Sequence, residues 1–205
     1  MNKTVKLYMF LLVFSITNAK ADSPLTFTWF YKAYSDISIV QEASKTKGKL
    51  TIHLMDYLSD STKPIDIKVA MINQLGWNTK GKINSKLFLS YILKKHSYIT
   101  IENFKKGRSD DLICYAYLKG MDNYSNVEEA YKLSLLAVEK DPNSYTINLI
   151  SHLIKSQSII YDFCGVYKTM NELSLMKDLI MDFRPEGIKI IYEYINGYKK
   201  YCKVN

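Results

Sequence analysis

The stretch SNVEEAYKLSLLAVEKDPNSYTINLISHLIKSQ, residues 125–157, decides the fold. It reads as two helices hinged at a proline. Ser125 is placed to cap the first helix, with Glu128 three residues later in the capping-box arrangement. Pro142 ends that helix and pre-sets the backbone for the next, and Ser144 is placed to cap it. The same punctuation recurs along the chain: Pro64 and Pro185 also stand just ahead of apolar-periodic segments, where a missing N–H costs little.

Working outward, Ser109 is expected to cap DDLICYAYLKGM, with Asp110 and Asp111 favouring the positive end of the helix dipole. Ile65, Val69, Ile72, Leu75 and Trp77 follow helical spacing before Gly76 and the loop NTKGKI. Asn84 or Ser85 then caps a helix carrying Leu87, Phe88, Tyr91 and Ile92, which predicts an antiparallel hairpin over 64–95. Two or three short helices are expected near Thr28–Tyr34, Ile37–Thr46 and Leu50–Leu58, with a break at Lys47-Gly48-Lys49. The region 161–183 holds a further helix or two, and Pro185 opens a final one with Ile188, Ile191, Tyr192 and Ile195 on one face. The connector 96–108 is mixed, since SYITI alternates like a strand while IENFKK reads as a helical turn. The expected fold is all-α, an array of antiparallel helical hairpins in a single domain.

The N-terminus predicts the compartment. Lys3 and Lys6 precede the apolar run Leu7–Thr17, and Ala19 and Ala21 supply the small residues of a signal-peptidase site. Residues 1–21 therefore read as a secretory signal peptide, leaving an exported helical domain over 22–205 that ends up periplasmic or extracellular. No later apolar run is long enough to span a bilayer, so no stable membrane insertion is expected after cleavage. The formal charge of +8 includes Lys3, Lys6 and Lys20 of the leader, and only Arg108 and Arg184 could make bidentate phosphate contacts. Nucleic acid is excluded as a partner on that ground. Of Cys114, Cys164 and Cys202 at most one pair can close, which leaves one bridge with a spare thiol, an intermolecular link, or three reduced thiols.

Within the opening stretch, Asn126-Val127-Glu128-Glu129-Ala130, then Ala137, then Asp141-Pro142, resemble a tetratricopeptide repeat, one unit spanning 111–142. The resemblance implies that Ala130 and Ala137 let paired helices approach closely. A degenerate second unit follows from Ser144, and the 64–95 pair is closer in style to a HEAT repeat. The mature start DSPLT with FYKAY, and IDIKVAMINQLGWN, look like exported bacterial proteins, which implies no activity. In tetratricopeptide-like superhelices the first helix of each pair lines the concave face. The resemblance thus nominates Tyr115 and Lys119 in one hairpin and Asn148, His152 and Lys155 in the next as partner-binding residues.

No residue is nominated as catalytic, metal-binding or cofactor-binding. His53, His96 and His152 are far apart, and the pair His53/Asp56 reads as an exposed helix face rather than a metal site. No serine sits in a GxSxG elbow, and the eight glycines stand singly at breaks. The acid pairs Asp110-Asp111 and Glu128-Glu129 fall in first helical turns, where the dipole accounts for them. Most of the 17 tyrosines lie in helical patterns and fill core. The functional expectation is an exported helical-repeat scaffold that binds a protein or peptide. The rival expectation is a glycan-binding or glycan-active protein whose site is built from residues distant in sequence.

Overall fold

The computed structural model describes residues 23–96 and 100–202. The predicted signal peptide with its cleavage point after Ala21, and most of the alternating run SYITI, lie outside the described residues. Among those described, the chain is all-helical: α1 (Pro24–Phe27), a 3-10 helix (Phe30–Tyr34), α2 (Ser38–Lys45), α3 (Ile52–Ser59), α4 (Ile65–Leu75), α5 (Asn84–Lys95), α6 (Ile101–Phe104), α7 (Ser109–Asp122), α8 (Glu128–Lys140), α9 (Tyr145–Ser158), α10 (Phe163–Ser174) and α11 (Pro185–Asn196), followed by a 3-10 turn at Lys199–Tyr201. The single β-bridge joins Ser144 to Ile180.

Consecutive helices α7, α8, α9 and α10 pack each on the next, which is the expected array of hairpins. Helix α8 buries Ala130, Leu133, Ser134 and Ala137, the i, i+3, i+4, i+7 stripe of a surface helix. A Cβ placed on Gly120 of α7 would lie 3.8 Å from Ala130 Cβ and 3.0 Å from Leu25 Cδ2. Small residues on both sides thus set the α7–α8 approach. Across the next interface the hydroxyls of Ser134 and Ser151 pair at 2.9 Å, satisfying two polar groups in an apolar seam.

Helices α7 and α9 are buried on nearly every side, and the reason lies at the N-terminus. Helix α1 packs on α7 and α9, and the 3-10 helix packs on α4 and α11. Leu25, Phe30 and Tyr34 are completely buried in this arrangement. Asn73 of α4 docks the segment, accepting from Tyr31 N at 3.0 Å and donating to the Thr28 carbonyl at 3.1 Å and to Tyr117 Oη at 2.8 Å. From the far end of the chain, Arg184 N donates to Tyr34 Oη and its guanidinium to the Ala33 carbonyl, each at 3.0 Å. The inner surface expected to be concave and open is therefore filled by the chain's own first helices.

Several local capping expectations change. The side chains of Ser109 and Ser125 cap nothing: α7 starts at Ser109 itself after Arg108, and α8 starts at Glu128 after Val127. Ser125 Oγ donates instead to Asn123 Oδ1, so no capping box forms. Asn84 and Ser85 are the first residues of α5, not its cap, and Asp122 supplies the acceptor, taking both Ser85 N and Ser85 Oγ at 2.7 Å. The hairpin over 64–95 is also revised, since α4 packs principally on α2 and the 3-10 helix, and α5 on α7, rather than on each other. Ser144 does cap α9, accepting from Ile147 N at 3.2 Å. Pro185 occupies the first turn of α11, and Gly76 (φ 65°) terminates α4.

Of the cysteine alternatives, one bridge with a spare thiol is observed. Cys164 at the start of α10 is bonded to Cys202, tying the C-terminal turn to that helix, and Cys114 is buried and free.

Candidate functional site

Asp110 and Asp111, expected only to favour the helix dipole, turn out to hold the framework together. Lys68, with no exposed side-chain surface, donates to Asp110 at 2.7 Å. Arg108 bridges Asp110 at 2.9 Å, Asp111 at 3.0 Å and the Ser59 carbonyl at 2.9 Å, joining the ends of α3 and α7. Burial and the neighbouring Asp110 push the Asp111 carboxyl up to about 6, against the opposing pull of Arg108 and Lys68. Cys114 is wholly buried near the same charges, and burial pushes its thiol well above the usual range, which makes it a core residue and not a nucleophile. His53 hydrogen-bonds Glu42 at 2.8 Å, while Asp56 is engaged by Tyr91 and Lys95. Among the described residues no three His, Cys, Asp or Glu side chains gather as a metal site.

The five partner-binding candidates separate into two places. Tyr115 is buried edge-on against Phe104 with centroids 5.3 Å apart, and Lys119 reaches over it to pair with Glu129 at 2.9 Å. Asn148 is 1% exposed, its amide donating to the Pro142 and Ser144 carbonyls at 2.9 Å. The expected exposure of Tyr115 and Asn148 therefore does not hold: Phe104 covers Tyr115, and the Asn148 amide is tied to the turn before α9. His152 Nδ1–H donates to the Asn148 carbonyl at 2.8 Å, and burial lowers its pKa. Lys155 meets Glu172 at 3.3 Å. Asn148, His152 and Lys155 do share a shallow groove of about 140 Å³ with Tyr131, Leu135 and Val138, between α8 and α9. Lys119 lines a different cleft, beside α5.

A cluster of exposed apolar side chains lies where the sequence pattern nominated no binding residue, in the connection between α10 and α11. Leu175, Ile180 and Met181 are 69%, 65% and 62% exposed, with Met176 beside them. This segment is held, not loose. Ile180 N donates to the Asn143 carbonyl at 2.7 Å and the Ile180 carbonyl accepts from Tyr145 N at 3.1 Å. Asp182 then grips the N-terminus of α9, its Oδ1 accepting from Thr146 N at 2.7 Å and its Oδ2 from Ser144 Oγ at 2.6 Å. Asp182 N also donates back to the Ile180 carbonyl at 2.8 Å, turning the chain at Met181, and among the described residues the amides of Leu179 and Met181 make no hydrogen bond.

A cleft flanks the ridge on each side. One, of about 520 Å³, runs along Pro142, Asn143, Leu175 and Met176. The other, of about 460 Å³, lies between Pro64–Asp66 and Met181–Pro185. The second cleft contains two carboxylates, Asp66 and Asp182. Burial raises the pKa of Asp66, which accepts from the Tyr34 hydroxyl, and Asp182 is committed to the α9 cap. Both acids are thus engaged in holding chain segments. In LMKDLIM, residues 175–181, Leu175/Leu179 and Met176/Ile180 recur four apart as on a helix face, so no local signal marked this surface as exposed.

Comparison with known proteins finds no match: no family model, no curated protein and no solved structure aligns with the chain. Among the described residues, no helix is long and apolar enough to cross a membrane.

Proposed function

We propose that this is an exported helical-repeat protein that binds an extended segment of a partner protein, with the Leu175–Met181 ridge as the docking edge. One observation carries the reading: a connection bridged at Ile180 and held by Asp182 displays exposed apolar side chains beside the amides of Leu179 and Met181, which make no hydrogen bond among the described residues. Unpaired amides beside apolar surface invite an added strand, in which main-chain hydrogen bonds supply affinity and the flanking clefts select side chains. The partner segment is accordingly extended, with apolar residues at alternate positions. Tetratricopeptide-like hairpins serve here as the rigid frame, and the site moves from their inner face to the α10–α11 connection. The leader-like N-terminus and the Cys164–Cys202 bond both support an oxidising, extracytoplasmic setting.

A photo-crosslinking side chain at position 180 of the tagged, exported protein tests the edge, with position 135 on α8 as control. A discrete adduct from 180 alone, lost in Leu175→Asp/Met181→Asp while the melting temperature holds, is the expected result. Equal adducts at both positions, or no effect of the two aspartates, overturns it. N-terminal sequencing of the same material is expected to begin at Asp22; retention of residues 1–21 in membranes would overturn the export reading.

A further inference from the structure

Lysines from two separate stretches of the sequence converge in one place. The loop after α2 carries KTKGK, residues 45–49, and the loop leading into α5 carries KGKINSK, residues 80–86. Asn84 clamps the two together, its Oδ1 accepting from Leu50 N at 3.0 Å and its amide donating to the Gly48 carbonyl at 2.9 Å. The loops are in contact, since a Cβ placed on Gly48 would lie 2.5 Å from Lys82 Nζ, which itself holds the Leu75 and Gly76 carbonyls. Neither stretch brings a compensating charge: no Asp or Glu occurs between Glu42 and Asp56 or between Asp66 and Glu102.

The ammonium groups gathered here are free. Lys45, Lys47, Lys49, Lys80 and Lys86 are exposed, and among the described residues none of them forms an ion pair. The acids at the margins are engaged elsewhere. Glu42 on α2 meets His53 at 2.8 Å. On the other flank, in the cleft that Lys82 and Lys86 share, Asp122 is buried and caps Ser85, and Glu129 pairs with Lys119 at 2.9 Å. Ile83, within the second stretch, is 58% exposed. Lys47 is moreover the one non-glycine with a positive φ among the described residues, at 55° beside Gly48 at 78°. Glycine or asparagine adopts that conformation at lower cost, so the lysine is kept there against the preference of the backbone.

We propose that this patch docks on an anionic phospholipid bilayer, with the lysines at the headgroup phosphates and Ile83 at the acyl boundary. Clustered lysines without acids repel one another, and an anionic surface turns that repulsion into attraction. The residue type favours lipid over protein. Lysine is depleted from protein–protein interfaces, where arginine is enriched, and neither stretch contains arginine. Ammonium groups on flexible stems suit a fluid layer of phosphates, which offers no fixed fork to match. The docking is peripheral, because among the described residues no helix is long and apolar enough to cross the bilayer. It shares no residue with the ridge and does not depend on it.

Co-sedimentation of the full exported chain with vesicles is the test, using phosphatidylcholine alone or with about one-third phosphatidylglycerol. Binding to the mixed vesicles only, falling steeply as salt rises, is the expected result. Lys47→Asn/Lys49→Gln should weaken it by about tenfold or more, at roughly fivefold per lysine, whereas Lys105→Ala/Lys168→Ala removes the same charge elsewhere and should change it by less than about twofold. All four lysines are exposed, so folding should be retained, and circular dichroism checks it. Ile83→Ser should weaken binding without altering its salt dependence. Equal binding to neutral vesicles, binding to neither, equal losses in the two double variants, or parent-like binding of Ile83→Ser would each overturn the proposal. Capture of soluble polyglutamate in place of vesicles would overturn it as well, by assigning the patch to an acidic protein. Failure here leaves the crosslinking test of the ridge untouched.

Discussion

Asp182 caps helix α9 although 36 residues separate it from Thr146, whose backbone N–H its Oδ1 accepts at 2.7 Å. The Thr146 hydroxyl returns a 2.7 Å bond to the Asp182 carbonyl. A negative charge at a helix N-terminus is favourable in itself, and here the same side chain also holds the exposed ridge in place.

Asp182→Ala leaves donors of the first turn of α9 without acceptors. A loss of about 1–2 kcal/mol in chemical denaturation is expected, together with faster amide hydrogen exchange at Ile180 and Tyr145. Asp182→Asn keeps an acceptor for Thr146 N but cannot serve Ser144 as well, so an intermediate loss is expected. An Ala variant with unchanged exchange at Ile180 would show that the ridge is held by other contacts.

Ala137 is completely buried on α8. Enlarging it should push α8 from its neighbours, and Ala137→Leu is expected to lower stability by about 1–3 kcal/mol, several degrees in melting temperature. Lys155→Ala removes only a partly exposed pair with Glu172 and should change the melting temperature little. Equal melting temperatures for the two variants would remove the close-packed seam from the account.

Asp111 gives the fold a pH dependence of defined sign. Its carboxyl is pushed from 3.8 to about 6 by burial and by Asp110, so between those values the folded chain holds more protons than the unfolded one. Stability from this group therefore falls as pH rises through the window, and Asp66, also raised by burial, acts in the same direction. Asp111→Asn, which cannot ionise, should gain on the parent by up to about 3 kcal/mol between pH 4 and pH 7 while retaining an acceptor for Arg108. Parallel pH profiles of the two proteins in urea denaturation would refute the assignment.

The Cys164–Cys202 bond closes a sequence separation of 38 residues. Thiol titration of the denatured, unreduced protein should find one reactive group, Cys114, and three after reduction. Cys202→Ser should cost roughly 2–4 kcal/mol, chiefly by freeing the unfolded chain. Three thiols before reduction would contradict the bond directly.

Much of the helix pattern could be read from residues alone, because it rests on local rules. Pro185 at the start of α11, Gly76 at the end of α4, Ser144 capping α9 and the buried stripe of α8 all depend on neighbours within a few residues. The caps of α5 and α7 were misread for the complementary reason. Ser85 needs Asp122, and Asp110 needs Lys68, which no local window contains.

What the sequence determined by itself was the all-helical array, since helical periodicity and capping are encoded at spacings of three and four. What only the tertiary structure decided was which surfaces remain free. Leu25, Phe30 and Tyr34 had to be seen packed inside the helices, and Phe104 edge-on against Tyr115, before the inner face could be placed as filled and that ring as buried. The exposed ridge, likewise, is held by an Asp182 carboxylate that caps a helix end 36 residues away. Exposure is a property of what packs against a residue, and packing partners are chosen by the folded chain as a whole.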